Sequence, residues 1–583
     1  MHKSSQHYAY SVRPSASKKP GIYLVSEEDL EESFSMTNTH IMKEDYVVLE
    51  EGALVPGGAI SMLSMEALSL FVQYGAIGIV YGTLPSLRYP LIKVYFNAPG
   101  FQMAAYGAVV NIPWTFKIIM GGLSDCVPVC GYRRKPWIIL GWAICCAALV
   151  FLATLDQGPA ACLARSGESL VCQTPNLSEA VGDNVSSYTV GAMFATLGYV
   201  MAACASDALV VQYAQRESLV IRGRIQTAIY TVRALGQLIS CALVGVLMNG
   251  KVEYAGTFDF YVPASVIYLV LCVPCVLAVL SSIFWLAERK TESVPFTKWA
   301  HQLWQLVQRQ ALWQILAFRF ISNVFHNFDS TAGGPIAQYW AKVPPVTDAL
   351  TRGLGYMIFS GILSVVGRYG LNWNWRWTIA ITTIALIVID GTVYLLTIWD
   401  VVRDPWFYTG VTLTDQIPSG VRFIVSVFVA TELADLGNEG AVYGLVTTVN
   451  NLTIPVAAIL YKWVNSYLKM TNADFASEMK PNASADTKNQ VRWHVTYSYL
   501  ISYGFKLLSL VWLFLLPPQK AHVQRLKRQG IVSSFAGGVT VVLFVVFLSF
   551  SVFFNLASMY DATKWWRIAG GNGVDPKASA TKP

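Results

Sequence analysis

A small set of ionisable side chains stands inside stretches otherwise apolar enough to cross a membrane. Arg233, Arg422 and Lys506 fall mid-stretch, with Lys117 and Arg319 nearer an end; Asp329 and Asp390 are mid-stretch anions, with Asp207 and Asp415 nearer the ends. A charge at a bilayer centre costs about 2.5 to 3.5 kcal/mol on insertion scales, so each needs an opposite charge, a wet cavity or a ligand. Mid-depth cations can take carboxylates through charge-assisted hydrogen bonds. A desolvated carboxylate is harder to ionise, so Asp207 or Asp329 can carry a proton. Structural ion pairs and snorkelling side chains compete with these roles, and for Asp390 the structural role is favoured.

The seventh apolar stretch packs Asn323, His326, Asn327, Asp329, Ser330 and Thr331 in front of Gly333-Gly-Pro335. A polar, breakable span is what a midplane binding site needs; a polar face turned to a water-filled cavity is the bland alternative. His326 is read as hydrogen-bonded rather than as a proton relay. Tyr74, Tyr81 or Phe328 can supply a stacking face for a flat ring. Metal-ligand spacing, a Walker sequence, a dinucleotide fingerprint and a nucleophile elbow are absent from the sequence, so no cofactor or enzyme activity is expected and the energy should come from a gradient. Cys272-Val-Pro-Cys275 is read as small residues around a helix proline, not a redox pair.

The elements that must position these residues are membrane helices. Of 583 residues 54% are hydrophobic and only 13% charged, against about 25% charged in soluble proteins. The net charge of +7 comes mostly from short segments between apolar stretches, which is membrane flanking rather than a nucleic-acid-binding face. About thirteen windows of roughly 20 apolar residues can be placed, at 63–85, 99–123, 136–155, 187–211, 223–248, 262–286, 313–340, 350–367, 376–399, 411–434, 440–466, 494–516 and 531–557. Residues 1–55 are polar and lack an apolar h-region, so the first helix itself is expected to act as the signal. With the N-terminus inside, the cytoplasmic loops hold the basic runs around Arg133, Arg216, Arg289 and Lys520 to Arg528. That orientation puts the sequons at Asn176, Asn184 and Asn482 outside, where glycosylation is expected; Asn451-Leu-Thr lies in a span and is read as chance. Cys162 and Cys172 share one outer loop and form a candidate disulfide.

The chain thus divides into a cytoplasmic tail (1–55), six helices (56–286), a linker (287–312), six helices (313–516), and a basic hinge with an extra helix and tail (517–583). A shift of 250 residues lays Phe71-x-Gln73 and Pro85 on Ile321-x-Asn323 and Pro335. The linker segment Trp304 to Trp313 has helical apolar spacing and is expected along the inner surface.

The loop Gly121-Gly-Leu-Ser-Asp125-Cys-Val-Pro128-Val-Cys-Gly131-Tyr-Arg133-Arg134-Lys135-Pro136 resembles the gating motif of the major facilitator superfamily, in the longer form of the folate-biopterin transporter family. Gly121 is expected to let helices approach closely. Lys117 in Trp114-Thr-Phe-Lys117, Ser206-Asp207-Ala-Leu-Val-Val into Ala214-Gln-Arg216-Glu217, and Gly437-Asn-Glu439-Gly-x-x-Tyr443-Gly-Leu into Asn450-Asn451 agree with that family over roughly residues 60–516. The resemblance implies an all-α major facilitator fold of six plus six helices, here with a thirteenth, and a secondary transporter of folates or pterins. Arg233, Asp329, Arg422, Lys506, Lys117, Tyr74, Asn323 and Asn327 are then expected at the substrate, and Asp207, Asp125, Arg133, Arg134, Glu439 and Arg319 in coupling and gating. Proton coupling, a monomer and the plasma membrane are expected, with an organelle membrane as the alternative location. Two rival functions remain: transport of another amphipathic metabolite such as S-adenosylmethionine, and a non-transporting membrane receptor.

Overall fold

In the computed structural model this apolar rhythm becomes a nearly all-helical bundle, described for residues 57–575 apart from 161, 164–170, 173–177, 218–223, 289, 291–294, 370–372 and 434–438. The first six long helices are α1 (Met65–Tyr95), α2 (Gly100–Cys126), α3 (Lys135–Thr154), α4 (Ser178–Gln215), α5 (Arg224–Leu247) and α6 (Ala264–Phe284). The amphipathic α7 (Phe296–Val307) leads to α8 (Gln310–His326), α9 (Pro345–Tyr369), α10 (Trp375–Ile398), α11 (Pro405–Thr414), α12 (Gln416–Leu433) and α13 (Glu439–Asn465). A short α14 (Asn472–Glu478), then α15 (Ala485–Val511), α16 (Lys520–Gln529) and α17 (Ser534–Ala557) complete the chain.

Among the described residues ten helices are long and apolar enough to cross a membrane. The expected seventh, eighth and tenth spans are helical but fall short of that measure, each for a physical reason. The seventh breaks after His326 and resumes as Gly333–Pro335 and Ile336–Trp340. The tenth is divided at Asp415 into α11 and α12. The eighth, α9, carries the pair Arg352–Asp348 at 2.8 Å. Pro85 and Pro335, identical under the 250-residue shift, are both followed by π-helical stretches, Arg88–Tyr95 and Ile336–Trp340; a proline removes an N–H and frees the local ladder to widen.

One apolar core joins α1 to α6, with Leu70, Trp142, Tyr199 and Leu271 fully or nearly fully buried. Others lie among the later helices, around Ile315 and Val446 and around Trp340 and Phe475. Lipid supplies no hydrophobic drive between helices, so small residues let backbones touch. A Cβ at Gly78 of α1 would stand 2.2 Å from the Arg233 carbonyl of α5. At Gly121 the expectation is corrected: a Cβ there meets nothing within 4 Å, whereas one at Gly122 would lie 2.5 Å from the Trp299 ring, because α7 crosses the end of α2 on that side.

The end of the bundle carrying α7, α16 and the Arg133–Arg134 loop is the linker face; the end carrying α14 is the far face. α17 starts at the linker face, where Ser533 N–H donates to the Gln308 carbonyl at 2.9 Å, and its tail therefore lies on the far face. Cys162 and Cys172 are register partners in a two-stranded antiparallel pair, with side chains outside the described residues. Asn482 is exposed on the far face, Asn176 lies outside the described residues, and the Asn184 side chain does too. Glycosidase treatment of the protein from a eukaryotic surface is expected to increase its gel mobility, and an Asn176, Asn184 and Asn482→Gln triple variant to run as the trimmed form. Equal mobility of wild type and variant, both untreated, would place these sequons where glycosylation does not reach.

Candidate functional site

Two polar clusters meet between the two sets of six helices, one from each set. In the first, Lys117 of α2 pairs with Asp207 of α4 at 2.6 Å, and the Tyr74 hydroxyl of α1 donates to the same carboxylate. The Lys117 ammonium also lies 5.7 Å from the Trp114 ring centre. Arg233 of α5 stacks over Tyr81 at 4.8 Å and reaches Trp114 at 5.6 Å. The cations Lys117 and Arg233 are thus drawn together around Trp114, an aromatic hub that a count of charges passes over. Tyr81 offers one face to a guanidinium, not to a ligand.

The second cluster is built on the break in α8. Asn323 donates to Asn450 Oδ1 of α13 at 2.7 Å and accepts from Arg422 of α12 at 3.2 Å. Arg422 is buried and also bonds Thr383 of α10 at 3.2 Å and Ser509 of α15 at 3.4 Å; among the described residues it makes no ion pair, and its Nε has no hydrogen-bond partner. Arg319 bonds Asn450 at 3.4 Å, and Asn327 bonds Thr453 at 3.2 Å. Lys506 is spent differently: its ammonium holds the carbonyls of His326 and Phe328 at 3.1 and 3.2 Å, replacing ladder bonds lost where α8 stops. Phe328 stacks on Phe505 at 4.1 Å, so one ring face is already covered. His326 is buried, and among the described residues its Nδ1 has no hydrogen-bond partner, against the expectation that it is simply bonded.

Asp329 is exposed at the break, and its carboxylate accepts from the adjacent Ser330 N–H at 2.8 Å. Arg88 of α1, Tyr461 of α13 and Tyr408 of α11 all interact with it electrostatically, so groups from both sets of helices face this carboxylate. Arg88 escapes a hydropathy reading because it lies in the π-helical extension beyond Pro85. Asp390 bonds the Tyr503 hydroxyl at 2.8 Å, in keeping with a packing role.

The adjacent residues Asn450 and Asn451 serve opposite clusters. Asn450 accepts from Asn323 and Arg319, while Asn451 donates to the Trp114 carbonyl at 3.3 Å, next to Thr448, which accepts from Ile118 N–H at 3.2 Å. The two halves therefore touch between Trp114 and Ile118, beside Lys117. At the far face they are tied again: Tyr89 to the Val343 carbonyl at 2.7 Å, Lys93 to Asn472 at 2.6 Å, and Asn472 to the Asn97 carbonyl at 2.7 Å. At the linker face Arg134 pairs with Asp125 and bonds Ser124 at 2.5 Å, while Glu288 accepts the backbone N–H groups of Arg133, Arg134 and Lys135 at 2.8 to 2.9 Å. Glu288 caps the start of α3 and has no local sequence signal. Glu439 opens α13, but its side chain lies outside the described residues.

The sequence profile of the BT1 family matches residues 86–480, a stretch containing the Asp125–Arg134 motif, Asp207, Asp329 and Asn450. The chain belongs to the BT1 family. A folate-biopterin transporter of Synechocystis sp. is 24% identical over 428 residues, covering 70% of this chain and 76% of that protein. A probable folate-biopterin transporter 6 of Arabidopsis thaliana is 21% identical over 373 residues, covering 59% of this chain and 65% of that protein. Among solved structures, a D-xylose–proton symporter superposes with a TM-score of 0.52 at 12% identity, over 78% of this chain and 97% of that one. A peptide transporter in complex with sulfate gives 0.51 at 12% identity, over 80% and 97%. The fold of this BT1 member is that of major facilitator transporters, and it is a multi-pass integral membrane transporter rather than an enzyme.

Proposed function

We propose that this transporter carries folates or pterins by alternating access, driven by protons. The observation that carries the substrate reading is Arg422: a buried guanidinium that, among the described residues, is held by the neutral side chains of Asn323, Thr383 and Ser509 is costly unless an anion completes it. A folate brings glutamate carboxylates at one end and a flat pterin with ring N–H and amino donors at the other. The carboxylates suit the Arg422 end of the second cluster, and Asp329, open at the break in α8, suits the pterin donors. The relatives named for folate and biopterin support this choice over S-adenosylmethionine, whose positive charge favours net anionic lining. Uptake of labelled folate into transport-deficient cells, competed by excess biopterin, tests it. Saturable uptake of labelled S-adenosylmethionine beside no saturable folate uptake would favour the other metabolite, and no saturable uptake of either would favour a receptor.

Proton coupling rests on Asp207, which cannot hold Lys117 and Tyr74 equally in its charged and neutral forms. Lowering external pH is expected to raise initial uptake, and a protonophore to remove the gain. Uptake indifferent to both would leave exchange or facilitated diffusion.

A further inference from the structure

α17 and the tail behind it connect parts of the molecule that alternating access moves apart. Lys462, near the far-face end of α13, is fully buried, and its ammonium donates to Asn555 Oδ1 of α17 at 3.0 Å and to Ser558 Oγ at 2.6 Å. Asn555 donates in turn to the Pro455 carbonyl of α13 at 2.9 Å. Among the described residues Lys462 makes no ion pair, and a buried ammonium on neutral partners has little tolerance for sliding, since any shift strands the charge. Arg567 adds a second tie to α13 and the loop after it, donating to the Ser466 carbonyl at 3.2 Å and lying 4.5 Å over the Tyr467 ring.

Between those ties the tail crosses to the other half. Met559 is fully buried in the core formed by α1 to α6, where Thr189 of α4 donates to its sulfur at 3.6 Å. Gly570, with φ at +102°, rests on Phe101 of α2; a Cβ there would stand 2.6 Å from the Phe101 Cβ. The grip on α13 is a buried polar network, whereas the grip on α2 and α4 is apolar contact with one weak bond to sulfur.

We propose that α17 and its tail form an intramolecular strap across the α2–α13 seam, which rides with α13 and must release Met559 and Gly570 from α4 and α2 whenever the far face opens. The strap thereby favours the closed far face at rest. This rests on the alternating-access reading, and the test separates the two. In full-length protein reconstituted into vesicles, with the exposed Cys130 replaced by serine, Thr189→Cys with Met559→Cys is bridged by a short bis-methanethiosulfonate reagent. Asn97→Cys with Asn472→Cys, bridged likewise, locks the far face directly. Both locks should lower uptake at least about tenfold, with recovery on reduction. A harmless strap lock beside an inhibitory far-face lock overturns the strap and leaves alternating access standing; two harmless locks overturn alternating access itself, and an uptake loss that reduction does not restore also counts against the strap. Independently, Met559→Ala should speed maleimide labelling of Asn472→Cys in purified protein at least about threefold, and an unchanged rate overturns the proposal.

Discussion

Asp207→Asn lowers uptake at least about 100-fold at matched surface expression, because its carboxylate makes two charge-assisted hydrogen bonds worth about 1.5 to 3 kcal/mol each, and each 1.4 kcal/mol is tenfold. The carboxylate holds the Lys117 ammonium at 2.6 Å and the Tyr74 hydroxyl, joining α1, α2 and α4 beside the point where α13 touches α2. Removing its charge takes the carboxylate from Lys117 and weakens the hold on Tyr74 together. The double variant Asp207→Asn with Lys117→Met removes both charges of the pair and should recover thermal stability in detergent. It should not recover uptake. Recovery of both would reduce the pair to a structural brace and remove the coupling role.

Arg422→Gln is expected to weaken folate uptake at least about tenfold, since a hydrogen bond to a charged group contributes about 1.5 to 3 kcal/mol. Biopterin lacks the glutamate tail, so its uptake should fall much less. Lys506→Gln should behave differently, although sequence alone sets Lys506 beside Arg422 as a tail-binding cation. Its ammonium holds the His326 and Phe328 carbonyls at the end of α8, so its loss disturbs the break on which both ends of a substrate depend, and both substrates should suffer alike. Asp329→Asn should also impair both, through the pterin. Initial rates for the two substrates at matched expression check all three variants. Equal losses with Arg422→Gln would move that arginine from the tail to the coupling machinery.

Much of this molecule was legible from residue order alone, because a bilayer enforces local rules. Each backbone N–H and C=O must be satisfied within its own helix, so apolar length reports a span directly, and ten of the thirteen expected spans are helices of that kind, while the seventh, eighth and tenth fall short where polar residues interrupt them. A charge within a span is equally legible, because its cost demands an explanation; Lys117, Asp207, Arg233, Arg319 and Arg422 all stand in the two polar clusters. Partnership is another matter. Whether a cation meets a carboxylate, a helix carbonyl or an aromatic ring depends on the rotation and crossing of helices distant in sequence, and no periodicity encodes that. Lys117 found Asp207, 90 residues on; Lys506 found the carbonyls of a broken helix; Arg233 found Tyr81. The Asn450-Asn451 pair carried a family signature, but only packing shows its two amides turned to opposite clusters. The thirteenth apolar stretch, α17, is the clearest case. Its apolar length announced a span, while the tertiary structure alone decided that Lys462 would be buried against it and that Met559 would cross into the opposite half.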